Sequence, residues 1–260
     1  MSEEVLERLD DGVLWITLNR PDVKNAISPD QRNRVIDLLT NAGDDAAVRC
    51  VVITGSGGSF CSGADLRASR TDQPPVSVAQ TIREGAQRLV SSIMDCPKPV
   101  IAAVDGVAAG IGAHIALACD LVIASDEARF IEVFMRRALV PDGGGAYLLI
   151  RLIGPQRAKE LVFFGDGVSA SDAEKLGLVN RVVPSGELES TASEWATRLA
   201  RGPTATLALA KKLLNAAHDL GRRAAFDEEA LAQEQNMNTE DAQEGVRSFV
   251  ERREPNFKGR

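Results

Sequence analysis

The pattern of hydrophobic and polar positions predicts a strand pair and then a helix at the start of the chain. Val5–Leu9 and Val13–Asn19 are strand-like, and Asp10-Asp11-Gly12 between them is typical of a hairpin turn because glycine tolerates a positive φ. An amphipathic helix should follow. Ser28 is a suitable N-cap, and Gln31 three residues later completes a capping box.

Three later segments have the composition of strands covered on both faces. Cys50–Thr54, Val100–Val104 and Leu121–Ala124 contain no charged residue and are short. The first two end in glycine-containing turns, and a short apolar helix over residues 112–118 precedes the third. Strands that alternate with helices predict an α/β fold, with its active surface where the strands end.

The hydrophobic pattern changes towards the C-terminus, where the helical period predominates. From Glu187 to Val250 the pattern is helical, with breaks at Gly202 and Gly221. We therefore predict an α/β core over residues 1–190 and a helical C-terminal region over residues 191–260. Thr71–Val78, which includes two prolines and has no periodicity, is predicted to be a mobile surface loop.

Composition narrows the class of protein. The 260 residues are 44% hydrophobic with a net charge of −7, which argues against disorder and against sequence-independent nucleic-acid binding. The apolar runs are too short to span a membrane, and Met1–Leu9 carries three Glu where a signal peptide needs basic and apolar residues, so a cytoplasmic protein is expected.

The widely spaced cysteines form no C-x-x-C motif and predict reduced, buried thiols with no metal site: Cys50, Cys61, Cys96 and Cys119.

Two glycine-rich segments, residues 55–66 and 105–114, each follow a predicted buried strand. The second leads directly into a helix, whose first backbone N–H groups attract negative charge. A phosphate is one candidate ligand, but the third glycine of a dinucleotide-binding fingerprint is missing after Gly110 and Gly112. The other candidate is an oxyanion held by two N–H donors. A purely structural role for the glycines in tight turns is the remaining alternative.

These segments and others along the chain closely resemble the enoyl-CoA hydratase/isomerase (crotonase) superfamily. The resemblance runs from about residue 5 to the tail at Phe249–Phe257. It implies a spiral core of ββα units, a helical trimerisation region, a homotrimer or dimer of trimers, and an acyl-CoA thioester substrate. Coenzyme A would be part of that substrate, with no separate cofactor. The motifs that carry the resemblance are Asn19–Ala26, Val51–Leu66, Ala103–Gly112 and Leu178–Val183.

The resemblance also implies which groups act on the thioester. The oxyanion donors would be the backbone N–H groups of Ala64 and Ile111. The two positions where typical hydratases of the family carry glutamates hold His114 and Phe134 instead, so a paired-carboxylate site is not expected. Glu132 lies two residues before Phe134 and should face elsewhere if the segment is helical, although it is an alternative acid.

Asp142 is the preferred candidate for the catalytic base. It resembles the aspartate of a subgroup that includes phenylacetyl-CoA epoxide isomerases and some double-bond isomerases. An isomerase needs one base, which removes a proton from one carbon and returns it to another. Apolar neighbours such as Phe134 and Leu139 should raise the pKa of a carboxyl group there. The alternative is that Asp142 only caps a helix beginning near Gly143.

Three other residues have two interpretations each. His114 is either a site residue or a hydrogen-bonded core residue, and Tyr147 either lines the acyl pocket or packs in the core. Asp65 could act through its carboxylate, whereas the resemblance implies that it shapes the loop that carries Ala64. An enoyl-CoA isomerase is the favoured function, and the alternatives are a hydratase, an inactive acyl-CoA-binding homologue, or dehalogenation or thioester hydrolysis with Asp142 as nucleophile. The residues predicted to bind substrate, with basic ones near the phosphates, are Lys24, Asp65, Leu66, Arg67, Gly110, Phe134, Leu139, Tyr147, Phe257 and Lys258.

Overall fold

The main sheet of the protein has six strands. The structure is a computed structural model that describes residues 3–67 and 77–260, so all but the last two residues of the predicted loop Thr71–Val78 lie outside the described residues. The strand order is β1-β2-β3-β4-β6-β9; β1 and β2 form the predicted antiparallel hairpin, and the other pairs are parallel. The strands are β1 Val5–Asp10, β2 Val13–Leu18, β3 Cys50–Gly55, β4 Val100–Val104, β6 Leu121–Ser125 and β9 Arg181–Val183.

A second sheet was not predicted from the sequence. It contains three strands in the order β5-β7-β8: β5 Val107–Ala109, β7 Arg129–Ile131 and β8 Gly167–Ser169. Each has three residues, too few to show a period of two. This small sheet bears on function because β5 lies within the second glycine-rich segment. It connects the end of β4 to the helix that begins at Ile111.

The predicted mixture of helices and strands is confirmed, and no described helix is long and apolar enough to cross a bilayer. The first helix has the predicted Ser28–Gln31 capping box. The fifth contains a break at Gly154, whose φ of 73° is not helical, directly before Pro155. The helices are α1 Pro29–Asp44, α2 Val78–Ile82, α3 Arg88–Asp95, α4 Ile111–Ala118, α5 Gly145–Phe164, α6 Ala170–Leu176, α7 Leu188–Ala200, α8 Thr204–Ala216, α9 Arg222–Met237 and α10 Glu240–Glu251, and a π-helical turn joins α2 to α3.

Alternation along the strands divides the core into two layers. In β3, Val51 and Ile53 face the larger layer, which includes α1, α3 and α4, while Cys50 and Val52 face the smaller layer beneath α7. The buried alanines of α7 let it pack closely on the sheet. The predicted boundary at residue 190 falls within α7, which packs on the sheet.

Candidate active site

The first glycine-rich segment is fastened to the second by backbone hydrogen bonds. The N–H of Cys61 donates to the carbonyl of Val107 at 2.9 Å, and the N–H of Ala109 donates back to the carbonyl of Cys61 at 2.9 Å. A Cβ atom on Gly112 would lie 2.2 Å from the Cys61 carbonyl oxygen, so only glycine allows this approach. The first segment thus rests directly on the N-terminal turn of α4.

The N–H of Ala64 points away from the neighbouring backbone at Ile27. The Gly63 carbonyl accepts a hydrogen bond from the N–H of Ile27 at 2.8 Å, and the N–H of Asp65 donates to the Ile27 carbonyl at 2.9 Å. Because the trans peptide is planar, the N–H of Ala64 points opposite to the Gly63 carbonyl and therefore away from Ile27. It has no acceptor among the residues that the structure describes.

The N–H of Ile111 also has no backbone acceptor among the described residues, because Ile111 begins a helix. Ile111 is the first residue of α4, and the first bond of that turn runs from the N–H of His114 to the carbonyl of Gly110 at 3.1 Å. The first N–H groups of a helix have no acceptor within the helix. Gly110 adopts a φ of 53°, which lets the chain turn from β5 into α4 at this point. Ala64 and Ile111 thus each present a free N–H on the two segments that pack together.

Asp65 belongs to the scaffold of this loop. One of its carboxylate oxygens lies 2.9 Å from a guanidinium nitrogen of Arg20, and the other accepts the N–H of Arg67 at 3.0 Å. Arg20 also donates to the carbonyl of Ala26. The fully buried Asn25 donates from its amide to two carbonyls of the first glycine-rich segment, at 2.9 and 2.6 Å. The segment Asn19–Ala26 therefore holds the glycine-rich segment in place.

Asp142 lies before α5 in a half-buried position. The N-cap of α5 is Gly144, and no side chain caps this helix, so the capping alternative for Asp142 is wrong. Burial raises the pKa of the Asp142 carboxyl above its usual value of 3.8, and the charge of a protonated His114 acts in the opposite direction. The prediction of a raised pKa is thus confirmed in direction.

The backbone after Asp142 packs tightly on a buried histidine. A Cβ on Gly145 would lie 2.2 Å from Nε2 of His114, and a Cβ on Gly143 would lie 3.5 Å from its Nδ1. The ring of Phe134 stacks on the imidazole, with centroids 5.4 Å apart and an angle of 11° between the rings. Phe134 and the glycines before and at the start of α5 thus all pack on the His114 ring.

Glu132 is the carboxylate partner of His114. Its Oε2 lies 3.1 Å from Nε2 of His114, and both side chains are buried. The expectation that Glu132 would face elsewhere is wrong, because residues 132–134 follow strand β7 and are not helical. Position 134 holds no carboxylate, as the sequence shows, but Glu132 supplies His114 with a carboxylate partner.

Lys24, Leu66 and Arg67 lie in or beside the first glycine-rich segment, and Leu139 follows Phe134. Lys24 is exposed, and its carbonyl accepts the N–H of Ser62 at 2.9 Å. Leu66 and Arg67 are exposed immediately after Ala64 and Asp65. Leu139 is also exposed, and its N–H donates to the carbonyl of Phe134.

Three other predicted residues are not brought to this cluster within one protomer. The Tyr147 hydroxyl donates to Asp219 at 2.8 Å, and the ring lies under the Arg151 guanidinium in a cavity that α8 also lines. The tail containing Phe257 and Lys258 packs on α10 and near Arg49, which precedes β3. The tail is therefore at the opposite end of β3 from the glycine-rich segment.

Sequence reasoning missed Glu132 as a partner of His114, and it gave no role to Arg20 or Asn25. Arg20 and Asn25 had a signal, since both lie in a motif that carries the family resemblance. Glu132 had only its place between apolar residues, and its pairing with His114 spans 18 residues in sequence. The four cysteines are buried as predicted, and the described residues contain no group of three or more potential metal ligands.

Comparisons with known proteins agree with this architecture. Residues 8–260 match the family model described as enoyl-CoA hydratase/isomerase. The chain is 38% identical to a probable enoyl-CoA hydratase of Rhodobacter capsulatus, over 97% of this chain and 96% of the relative. It is 36% identical to 1,2-epoxyphenylacetyl-CoA isomerase of Escherichia coli, with all of both chains covered. The crystal structure of a putative enoyl-CoA hydratase from Streptomyces coelicolor superposes with a TM-score of 0.94 at 37% identity, covering 99% of this chain and 95% of that one. The protein therefore belongs to the enoyl-CoA hydratase/isomerase family of acyl-CoA enzymes.

Proposed function

We propose that the protein is an enoyl-CoA isomerase that moves a double bond with one carboxylate base, Asp142. The observation that carries this proposal is the half-buried position of Asp142, directly before the glycines that pack on the His114 ring, together with the raised pKa of its carboxyl. A raised pKa suits a group that must first accept a proton and then release it. The relative 1,2-epoxyphenylacetyl-CoA isomerase supports isomerase chemistry, and so does a 34% identical relative named trans-2-decenoyl-[acyl-carrier-protein] isomerase.

The proposed reaction begins with the thioester carbonyl between two backbone donors. The N–H groups of Ala64 and Ile111 bind its oxygen, and the N-terminus of α4 adds the positive end of a helix dipole. The Asp142 carboxylate removes a proton from a carbon next to the double bond. The C–H electron pair forms a dienolate whose negative charge rests on the bound oxygen. Asp142 then returns the proton to the carbon two positions away, and the double bond is shifted.

We also propose that coenzyme A enters as part of the substrate, beside the first glycine-rich segment. Lys24 and Arg67 are exposed there and supply positive charge for the phosphates, and the exposed Leu66 offers an apolar surface. The proposed reaction transfers only a proton, so it uses no separate cofactor. Tyr147, Phe257 and Lys258 are left out of this protomer's proposed site.

Hydration of an enoyl-CoA is the second candidate. Besides Asp142, the site contains the ionisable pair Glu132–His114, and such a pair is able to orient a water molecule. Relatives named as hydratases, including one named 2,3-dehydroadipyl-CoA hydratase at 34% identity, also favour it. Against it, both side chains of the pair are buried, and only the half-buried Asp142 is open to a substrate.

A substrate panel separates these functions. Crotonyl-CoA, a 3-enoyl-CoA and a ring-epoxide aryl-CoA are incubated with the protein, and products are identified by mass spectrometry and absorbance. Isomerisation of the 3-enoyl-CoA or the epoxide faster than hydration of crotonyl-CoA is the expected result. Hydration as the fastest reaction would reverse the proposal. No turnover of any of the three would favour an acyl-CoA-binding homologue without activity.

Transfer of the same proton by one base has a further consequence. In D₂O, a carboxyl group that returns the proton it removed incorporates less than one deuterium per turnover into the product. Two separate groups, one removing and one donating a proton, incorporate about one deuterium. Mass spectrometry of the product at low conversion measures this directly.

We propose that the chain assembles through its C-terminal helices into a homotrimer or dimer of trimers. The supporting observation is the large apolar side chains that α9 and α10 leave exposed in a single protomer: Phe226, Leu231, Val246, Phe249 and Val250. Multi-angle light scattering at micromolar concentration should give three or six times the chain mass of 27.8 kDa. A monomer would contradict the proposal.

A further inference from the structure

The Glu132–His114 dyad, defined as these two side chains and the bond between them, is not used in the proposed reaction. His114 is fully buried and Glu132 is nearly so, and an ionisable pair is costly to bury unless its hydrogen bonds repay the lost hydration. One ring nitrogen, Nε2, bonds to the Glu132 carboxylate. The other, Nδ1, is buried and has no hydrogen-bond partner among the described residues.

The partner on Nε2 determines what Nδ1 can do. An ionised carboxylate only accepts hydrogen bonds, so a neutral His114 bonded to it must carry its proton on Nε2. Nδ1 then has a free lone pair and acts as an acceptor. It lies on the side of the ring that faces Gly143, the residue directly after Asp142.

The surroundings leave few groups that can supply a proton to this acceptor. The residues that pack on the ring and its neighbours are Ile111 on α4, Phe134 beyond β7, Ala86 on the π-helical turn and the glycines that begin α5. None of them titrates. Among the described residues, the ionisable groups that face His114 are Glu132, already bonded to Nε2, and Asp142, whose carboxyl is close enough that a positive charge on His114 would lower its pKa.

We propose that Glu132 is a positioning residue that keeps His114 protonated on Nε2, so that Nδ1 accepts a hydrogen bond from Asp142 while that residue carries the substrate's proton. This inference rests on the proposed isomerase function. The substrate C–H bond breaks, its electron pair enters the dienolate, and its proton forms an O–H bond on Asp142. That O–H donates to Nδ1 until the proton returns to the second carbon and leaves the carboxylate as it was.

The dyad therefore gives the proton a defined resting place between the two transfers. In a half-buried site an unbonded carboxylic acid would rotate freely or lose its proton to water. A lone pair at Nδ1 holds the acid on the side of α4, next to the N–H of Ile111 that binds the thioester oxygen. The inference predicts that the tautomer of His114 depends on Glu132.

The chain allows a direct measurement because it contains only two histidines, His114 and His218. His218 is exposed on the C-terminal region, so His218→Gln leaves His114 as the single histidine. Solid-state ¹⁵N NMR of that full-length variant, labelled with ¹⁵N-histidine at pH 7, distinguishes the protonated from the unprotonated ring nitrogen. The expected spectrum shows Nε2 protonated and Nδ1 unprotonated.

Glu132→Gln in the same background is the test variant, since glutamine has the same shape but its amide also donates. The Nδ1-protonated form should then appear in the spectrum. Glu127→Gln, at an exposed position five residues earlier, is the matched control and should leave the spectrum unchanged. A wild-type ring protonated on Nδ1 or on both nitrogens would overturn the proposal, and so would a tautomer that Glu132→Gln leaves unchanged.

Kinetics supply the second readout. Glu132→Gln should lower kcat for isomerisation about tenfold or more with little change in KM, because the substrate does not touch Glu132. Glu127→Gln should have wild-type kcat, and an unchanged kcat in Glu132→Gln would contradict the proposal. The NMR measurement needs no substrate, so failure of the isomerase assay leaves the tautomer result intact. Conversely, if the protein is an active isomerase but His114 is not protonated on Nε2 alone, the role of the dyad is rejected and the proposed function stands.

Discussion

The Glu132 carboxylate lies 3.1 Å from Nε2 of His114, whose position on α4 is one where the family resemblance leads one to expect a catalytic glutamate. The imidazole of His114 occupies the position of that glutamate on α4, and the Glu132 carboxylate is hydrogen-bonded to its Nε2. The position of the second expected glutamate holds Phe134, which stacks on the same imidazole. Asp142 is the half-buried carboxyl group of this cluster, whereas Glu132 is buried.

The N–H of Ala64 can be removed without breaking a backbone hydrogen bond of the scaffold. The neighbouring bonds to Ile27 use the carbonyl of Gly63 and the N–H of Asp65. Ala64→Pro should lower kcat by about 10²–10³, as expected for loss of one oxyanion donor. Ala64→Ser keeps the N–H at the same exposed position and should retain activity within a few-fold. Equal activity of the two folded variants would exclude this N–H from the site.

The N–H of Ile111 is open to an equivalent test because proline is well tolerated at the first position of a helix. Ile111→Pro removes the N–H, whereas Ile111→Ala keeps it and removes most of the buried side chain. We expect kcat of Ile111→Pro to be at least about tenfold below that of Ile111→Ala. Steady-state kinetics on variants with matched circular dichroism spectra provide the comparison. Identical rates would assign the effect of both changes to packing.

The raised pKa of Asp142 predicts how activity depends on pH. Only the ionised carboxylate accepts the substrate's proton, so kcat/KM should fall as the pH drops through the pKa of Asp142. Because burial raises that pKa, the midpoint of the fall should lie above 3.8. A pH profile of kcat/KM measured from pH 4 to pH 9 locates it. A profile that stays flat down to pH 4 would show that no such group controls the reaction.

The same pKa shift predicts a stability effect. The folded protein binds the Asp142 proton at higher pH than the unfolded chain, so this group makes stability fall as the pH rises from 3.8 through the raised value. Asp142→Ala should therefore not lower Tm at pH 7, since no cap is lost. Ser28→Ala, which breaks a true capping box, should cost about 0.5–2 kcal/mol and is the positive control. Comparable losses of Tm in both variants would restore the capping role.

His114 should contribute less than Asp142 because it is fully buried and acts through that carboxyl. His114→Ala is expected to lower kcat by a smaller factor than Asp142→Asn does. Both are measured on the 3-enoyl-CoA, with Tm recorded for each variant. A larger loss in His114→Ala at an unchanged Tm would exchange the two roles and make His114 the base.

Much of the fold follows from local sequence signals. The hairpin, the capping box of α1 and strands β3, β4 and β6 all have the predicted positions within one or two residues, because caps, turns and buried apolar runs are local features. The three-residue strands β5, β7 and β8 were missed, since their pairing depends on distant partners. The packing of α7 on the sheet was not predicted, because its small apolar face gives no local sign of that contact.

The residues of the candidate site also divide into those predicted from local motifs and those whose contacts depend on distant parts of the chain. The positions of Ala64, Ile111 and Asp142 were predicted from motifs with the family resemblance, and their catalytic roles stay predictions. The dyad was missed because a turn after β7, rather than a helix, directs Glu132 towards His114. The tail residues Phe257 and Lys258 were assigned from resemblance alone, and a single protomer places them at the other end of the sheet.

The most direct test of the account is the rate of 3-enoyl-CoA isomerisation by Asp142→Asn. Asparagine preserves the size and hydrogen-bonding capacity of the side chain but cannot accept the substrate's proton. The account predicts that kcat falls by about 10²–10⁴ while Tm at pH 7 does not fall. A rate within a few-fold of the wild-type value in the folded variant would contradict the assignment of Asp142 as the base.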